Sequence, residues 1–91
     1  MEERGPAKRF LQGMIQIAVG YHHALNGNYK GASSLFTKGI PKLLPYLPSC
    51  ESVPLGDLVP VFERHRLHFT ELLGGKAGDF DGEAIPLIQL A

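Results

Sequence analysis

The sequence predicts an all-α fold: a three-helix core of a small helical bundle with an extended C-terminal strap. Three segments repeat their apolar residues with the period of an α-helix, and they lie near residues 7–26, 29–46 and 57–73. Turn residues separate these segments, first at Asn26-Gly27-Asn28 and then in a proline-rich loop from Pro45 to Gly56. Because the chain has 91 residues, we expect a single helical domain over 1–91, with a tail at 74–91.

The first helix has an unusually broad apolar face. On a helical wheel its large apolar residues fall within about half of the circumference, and they are Phe10, Leu11, Met14, Ile15, Ile17, Ala18, Tyr21 and Leu25. This arc exceeds the roughly 100° stripe of a surface helix, so we expect the helix to be central, with neighbours on more than one side. Gly13 and Gly20 lie on one flank, where we expect another backbone to approach closely.

A polar strip lies opposite the apolar face and contains Gln12, Gln16 and His23. Such a strip can contact another helix, form half of a metal site, or face solvent. Glutamine is a poor metal ligand, and one histidine without carboxylates cannot complete a three-ligand site. We therefore predict no metal site here and favour a polar contact with another helix.

The second helix should begin after a well-defined turn. Gly27 suits the left-handed end of the first helix, and Asn28 suits the cap of the second. Pro41 removes one backbone donor inside this helix. Two outcomes fit that proline: a kink near Thr37, or an early stop with a second short helical piece after it.

The third helix is expected to start at Asp57 as its cap, with Pro60 tolerated in the first turn. Its inner face should consist of Leu58, Val61, Phe62, Phe69, Leu72 and Leu73. His65 falls in the middle of that face and could share a metal with His68, three residues on. A hydrogen-bonded core histidine is the favoured interpretation, so we expect burial to lower the pKa of His65.

The tail divides into two parts. Gly74 to Glu83 has the composition of a flexible, acidic linker. Ile85 to Leu90 contains four large apolar residues, and Pro86 prevents a regular helix start at Ile85. We expect this second part to be an extended strap that lies across a groove.

Composition excludes several functional classes. Nine basic and nine acidic residues cancel, and no basic run suits phosphate binding, so we expect no nucleic-acid partner. The apolar stretches are too short to span a bilayer and the start of the sequence lacks a signal-peptide pattern, so we expect no membrane partner. Cys50 is the single cysteine, which suits a reducing compartment and a cytoplasmic location.

The order of these features resembles a known family, the small prokaryotic proteins of domain of unknown function 309. The resemblance rests on RFLQGMIQIAVGYHHALNGNYKGASSLFTKGIPKLLPYL and on the ending IPLIQL, and it covers nearly the whole chain. It implies an all-α bundle of about four helices. Relatives usually begin with a helix that carries a Phe-Glu-x-His-Glu-x-x-Glu type motif and a tryptophan, and this chain has neither. The resemblance then leaves Gln12, Gln16 and His23 as the residues that face such a site.

Two functional hypotheses follow. The favoured one is a non-enzymatic module for oligomerisation or for binding a helical partner, with no cofactor. A dimer through Leu11, Ile15 and Val19 would cover apolar surface that two helical neighbours leave open. The alternative is a hydrolase-like bundle whose polar or metal site is completed by residues outside this chain.

Overall fold

The computed structural model describes residues 5–50 and 52–86, with side chains from Lys8 onward. It confirms the all-α helical bundle, and no strand is present in these two ranges apart from a single bridge between Cys50 and Val53. The three helices are α1 at Gly5–Leu25, α2 at Tyr29–Leu43 and α3 at Leu55–Leu73. Short 3₁₀ turns follow at Leu44–Tyr46 and Gly82–Ala84.

The turn between α1 and α2 has the chemistry that its sequence predicts. Gly27 has a φ of 78°, a left-handed conformation that glycine adopts without a steric penalty. The Asn28 side chain accepts a hydrogen bond of 3.0 Å from the backbone N–H of Gly31, which satisfies one of the free amides at the start of α2. This tight turn makes α1 and α2 an antiparallel pair.

Glycines bring the α1 and α2 backbones into close contact, as predicted. A Cβ placed at Gly13 would lie 3.1 Å from the carbonyl oxygen of Gly39, and one at Gly39 would lie 3.1 Å from the carbonyl oxygen of Gly13. A Cβ at Gly20 would lie 2.6 Å from the ring of Phe36. We call this contact the glycine seam, defined by Gly13, Gly20 and Gly39.

The prediction that α1 is the central helix is wrong, because α2 occupies that place. Both α1 and α3 pack closely along α2, whereas α1 meets α3 through side chains such as Tyr21. The broad apolar arc of α1 is therefore covered only in part, and Leu11 and Ile15 on it stay exposed. Four buried aromatic rings form the centre of the core, and they belong to Phe10, Phe36, Phe62 and Phe69.

Two helix ends differ from their predicted positions. The α-helical part of α2 stops at Leu43 rather than near 46, and a 3₁₀ turn that contains Pro45 follows, which is the early-stop outcome. Pro45 has no backbone N–H, so it cannot donate the hydrogen bond that would continue the α-helix at this position. Helix α3 begins at Leu55, so Asp57 lies in its first turn and Pro54 takes the cap position.

The earlier start of α3 follows from burial. Leu55 is fully buried, so packing in the core stabilises a helix that already includes it. Sequence preference alone favours a later start, with Asp57 as the cap. As a result Pro60 is the sixth residue of α3 and lies beyond the first turn. Two residues on the predicted inner face of α3 also lie elsewhere, because Leu73 is exposed and Val61 is only partly buried.

The prediction that Gly74 to Glu83 is a flexible linker is also wrong. Phe80 is buried, stacks on Tyr21 with the ring centres 5.9 Å apart, and meets Phe69 edge-on at 5.0 Å. Its backbone N–H also donates to the Tyr29 hydroxyl at 3.1 Å. One aromatic residue thus anchors a segment whose glycine and acidic composition indicated mobility.

Candidate functional site

An exposed apolar stripe runs along α1. Leu11, Ile15 and Val19 expose 49%, 60% and 40% of their surface. They are spaced four residues apart, so the stripe extends for about 12 Å along the helix. These are the three residues that the sequence analysis chose as an interface, and they lie away from the glycine seam.

An apolar groove of about 450 Å³ adjoins this stripe. Its α1 wall consists of apolar side chains, namely Leu11, Met14, Ile15, Ile17, Ala18 and Tyr21. Ile85 and Pro86, the first residues of the predicted strap, form the opposite wall. Leu87 to Leu90, the remainder of that strap, lie outside the described residues.

The polar strip of α1 divides between two places. Gln16 is partly buried, and its Oε1 accepts a hydrogen bond of 2.7 Å from the Lys42 ammonium on α2. Gln12, Gln16 and Lys42 line a shallow polar depression together with Ile15. A cationic amine beside two amides can hold a carbonyl or a carboxylate by hydrogen bonds.

His23 does not join that depression. It lies two helical turns beyond Gln16, and its Nδ1 lies 3.3 Å from the Asn28 side-chain amide at the turn between the helices. The structure therefore brings together Gln12 and Gln16 but separates His23 from both of them.

A buried tyrosine–histidine pair joins α1 to α3. The Tyr21 hydroxyl lies 2.7 Å from Nδ1 of His65, and either group can be the donor, depending on the histidine tautomer. Phe80 meets the His65 ring edge-on, with ring centres 5.1 Å apart. His65 is thus the hydrogen-bonded core histidine that the sequence predicts.

Burial shifts both pKa values away from the charged forms. Desolvation lowers the pKa of His65 from its ordinary value of 6.5, and the nearby charges of Arg64 and His68 lower it further. Desolvation also raises the pKa of Tyr21 well above its usual range, with a smaller opposite effect from Arg64. Both groups are therefore neutral at neutral pH, and the pair holds the two helices together as a neutral hydrogen bond.

Metal-binding geometry is not found among residues 5–50 and 52–86, where no three side chains of His, Cys, Asp or Glu converge. His65 and His68 have different partners, because His65 meets Tyr21 while His68 lies 3.9 Å from a Glu71 carboxylate oxygen. Within the same ranges, no helix is long and apolar enough to cross a membrane.

Sequence reasoning missed the partners of two polar residues. The sequence analysis names no partner for Gln16, which Lys42 contacts, and it treats Tyr21 only as an apolar residue. A signal for Lys42 was present in the sequence. When a short turn joins two antiparallel helices, residues at equal distances from the turn lie side by side. Gln16 therefore lies next to the last turns of α2.

Comparison with known proteins gives one family and no individual relative. Searches of curated proteins and of solved structures find no significant match to this chain. The model of a domain of unknown function, DUF309, matches residues 1–35, which include all of α1, the turn and the start of α2. The chain is thus similar to the DUF309 family over residues 1–35, and this region contains the predicted interface stripe of α1 together with Gly13 and Gly20 of the glycine seam, but not Gly39.

Proposed function

We propose that this chain is a non-enzymatic oligomerisation module of the prokaryotic cytoplasm, and that it forms a two-fold dimer through α1. The observation that carries the proposal is the exposed stripe of Leu11, Ile15 and Val19. Exposed apolar surface that is continuous with an apolar groove is unfavourable for a monomer in water. The single cysteine supports a reducing compartment.

The chemistry around the stripe favours a second copy as the partner. From Phe10 to Tyr21 the helix contains no charged residue, and the cores of protein interfaces are depleted in charge. Ile15 is the midpoint of the stripe, so a two-fold axis at this residue would set Leu11 of each copy against the partner's Val19. The same surface then complements itself, as an isologous interface requires.

The flanks of the stripe also suit an interface of this kind. Gln12 and Gln16 border it and offer amide groups for a polar rim. Lys8 and Arg9 lie at one end of α1, so an antiparallel pairing separates these cations in the two copies.

Light scattering after size exclusion tests the proposal at micromolar concentration. We expect the natural chain to elute as a dimer and Ile15→Glu to elute as a monomer. A buried carboxylate without a partner should weaken association by about tenfold or more, because each 1.4 kcal/mol is a factor of ten. Ile15 is mostly exposed within one copy, so the variant should keep its helical circular dichroism.

Leu67→Glu is the matched control. Leu67 lies on α3 and exposes 54% of its surface, so it receives the same chemical change at a similar exposure away from the stripe. We expect this variant to remain a dimer. A natural chain that is monomeric, or a dimer that both variants leave intact, would contradict the proposal.

A further inference from the structure

One buried residue holds the segment after α3 against the helices. From Gly74 to Ala84, Phe80 alone is buried. Its ring packs on Tyr21 of α1 and on Phe69 of α3. Its backbone N–H donates to the Tyr29 hydroxyl of α2 at 3.1 Å. The segment therefore contacts all three helices through a single side chain and its own backbone amide.

His65 lies against the Phe80 ring, with the two ring centres 5.1 Å apart and the planes at 81°. The imidazole also meets the rings of Tyr21 and Phe69. Those two rings belong to helices, whereas Phe80 belongs to the segment that follows them. Phe80 can therefore leave while the helices keep their packing, and its departure would expose the imidazole to water.

The helical groups around His65 favour its neutral form while Phe80 covers it. Desolvation is the larger cause of its lowered pKa, and the charges of Arg64 and His68 on α3 act in the same direction. On α1, the Tyr21 hydroxyl lies 2.7 Å from Nδ1, and burial raises the pKa of this tyrosine. Tyr21 therefore supplies no negative charge that would balance a protonated imidazole.

The segment and α2 supply no balancing charge either. Asp79 and Asp81 flank Phe80, but within residues 5–50 and 52–86 no carboxylate forms an ion pair with His65. Helix α2 reaches the cluster through the Tyr29 hydroxyl, which accepts the Phe80 amide bond. A proton on His65 is thus unfavourable in the covered state and is accommodated more easily in water.

Protons should therefore favour the state in which Phe80 has left. An imidazole in water titrates near 6.5, and the covered one titrates below that value, so the uncovered state binds protons more tightly. Linkage then requires the ratio of uncovered to covered chains to rise as the pH falls. Between about pH 7.5 and about pH 5.5 this rise can reach roughly tenfold.

We propose that Gly74 to Ala84 is a lid over the aromatic cluster of Tyr21, His65 and Phe69, and that acid opens this lid while the three helices stay folded. Opening uncovers an aromatic surface that the chain keeps closed at neutral pH. The cluster and the lid contain no residue of the exposed stripe on α1, so this inference holds whether or not the proposed dimer forms.

Amide hydrogen exchange of Phe80 measures the opening, because this N–H loses its Tyr29 partner when the lid leaves. The buried Phe36 in the middle of α2 reports unfolding of the helices. We expect Phe80 to be less protected than Phe36 and less sensitive to low concentrations of urea, because a local opening exposes little surface. Its protection factor should fall about three- to tenfold from about pH 7.5 to about pH 5.5.

His65→Gln and His68→Gln form a matched pair of variants on the same helix. We expect His65→Gln to remove most of the pH dependence of Phe80 protection and His68→Gln to retain most of it, with helical circular dichroism unchanged in both. A Phe80 amide that exchanges only with Phe36, at the same urea dependence, would overturn the proposal. An equal fall with pH in the natural chain and in His65→Gln would also overturn it.

Phe80→Ala tests the same linkage from the other side, without changing a titrating group. It removes the covering ring and leaves the helices intact, so an NMR titration should give His65 a pKa closer to 6.5 than in the natural chain. Leu73→Ala is the control, since Leu73 is an exposed apolar residue at the end of α3, and it should leave the His65 pKa unchanged. The same His65 pKa in Phe80→Ala and in the natural chain would show that Phe80 is not its cover and would refute the lid.

Discussion

The two sides of α1 differ in the size of their side chains and in what covers them. Towards α2, glycines remove side chains, so that the two backbones come within van der Waals contact at Gly13 and Gly39. On the other side, Leu11 and Ile15 keep large side chains that nothing in the described residues covers fully. The comparison teaches that glycines close one side of α1 within a single copy, whereas the stripe on the other side stays exposed among the described residues.

The stability of the fold should be more sensitive to one added methyl group at the glycine seam than on the other side of α1. In Gly20→Ala the new Cβ would lie 2.6 Å from the buried ring of Phe36, so Phe36 or α1 must move. We expect a net loss of about 2 kcal/mol in the free energy of unfolding, after the gain of about 1 kcal/mol in helix propensity. Urea denaturation followed by circular dichroism measures it.

Gly56→Ala is the control for that change. Gly56 lies in the first turn of α3, and a Cβ there meets its nearest atom at an ordinary 3.6 Å. We expect its stability to be unchanged or raised by up to about 1 kcal/mol. Equal effects at both glycines would show that the seam tolerates side chains and that the contrast between the two sides of α1 is wrong.

A smaller effect should come from His65 of α3, which contacts Tyr21 on α1. Its pKa is lowered in the folded chain, so the unfolded chain binds more protons below the ordinary value of 6.5. Stability is complete above that value and should fall as the pH drops towards the lower, folded pKa. Urea midpoints at about pH 7.5 and about pH 5.5 measure this loss.

His65→Gln separates this residue from other titrating groups. Glutamine cannot take up a proton in this range, yet it can still hydrogen-bond to the Tyr21 hydroxyl. We expect the variant to lose less stability between the two pH values than the natural chain loses. An NMR titration that gives His65 a pKa above 6.5 would reverse the sign and refute the prediction.

The smallest effect should come from the polar edge of the stripe. Gln16→Ala removes the acceptor of the Lys42 hydrogen bond, but the ammonium group can then turn to solvent. We therefore expect a loss of only about 0.5 kcal/mol, towards the low end for a hydrogen bond. A loss of 2 kcal/mol or more, by the same urea assay, would show that this edge belongs to the core.

Local signals in the sequence determined the helical fold and much of its detail. Residue periodicity predicted three helices, Gly27 and Asn28 predicted the turn, and Gly13 and Gly20 predicted a close approach. The helices and the turn depend on residues within a few positions of one another, whereas Gly13 and Gly20 indicated only one side of the close approach. Their physical causes, such as a left-handed φ or a capping bond, act at that range.

Only the tertiary structure decided which helix or segment buries each apolar face. Periodicity shows that a helix has an apolar face but does not name the neighbour that buries it, so α1 was wrongly expected to be central. Phe80 lies 59 positions after Tyr21 in the sequence, and its ring is buried although its neighbours are glycine and aspartate. The pairs Tyr21–His65 and Gln16–Lys42 also depend on how whole helices dock. Docking minimises exposed apolar surface over the entire fold, and that quantity cannot be read from any single segment.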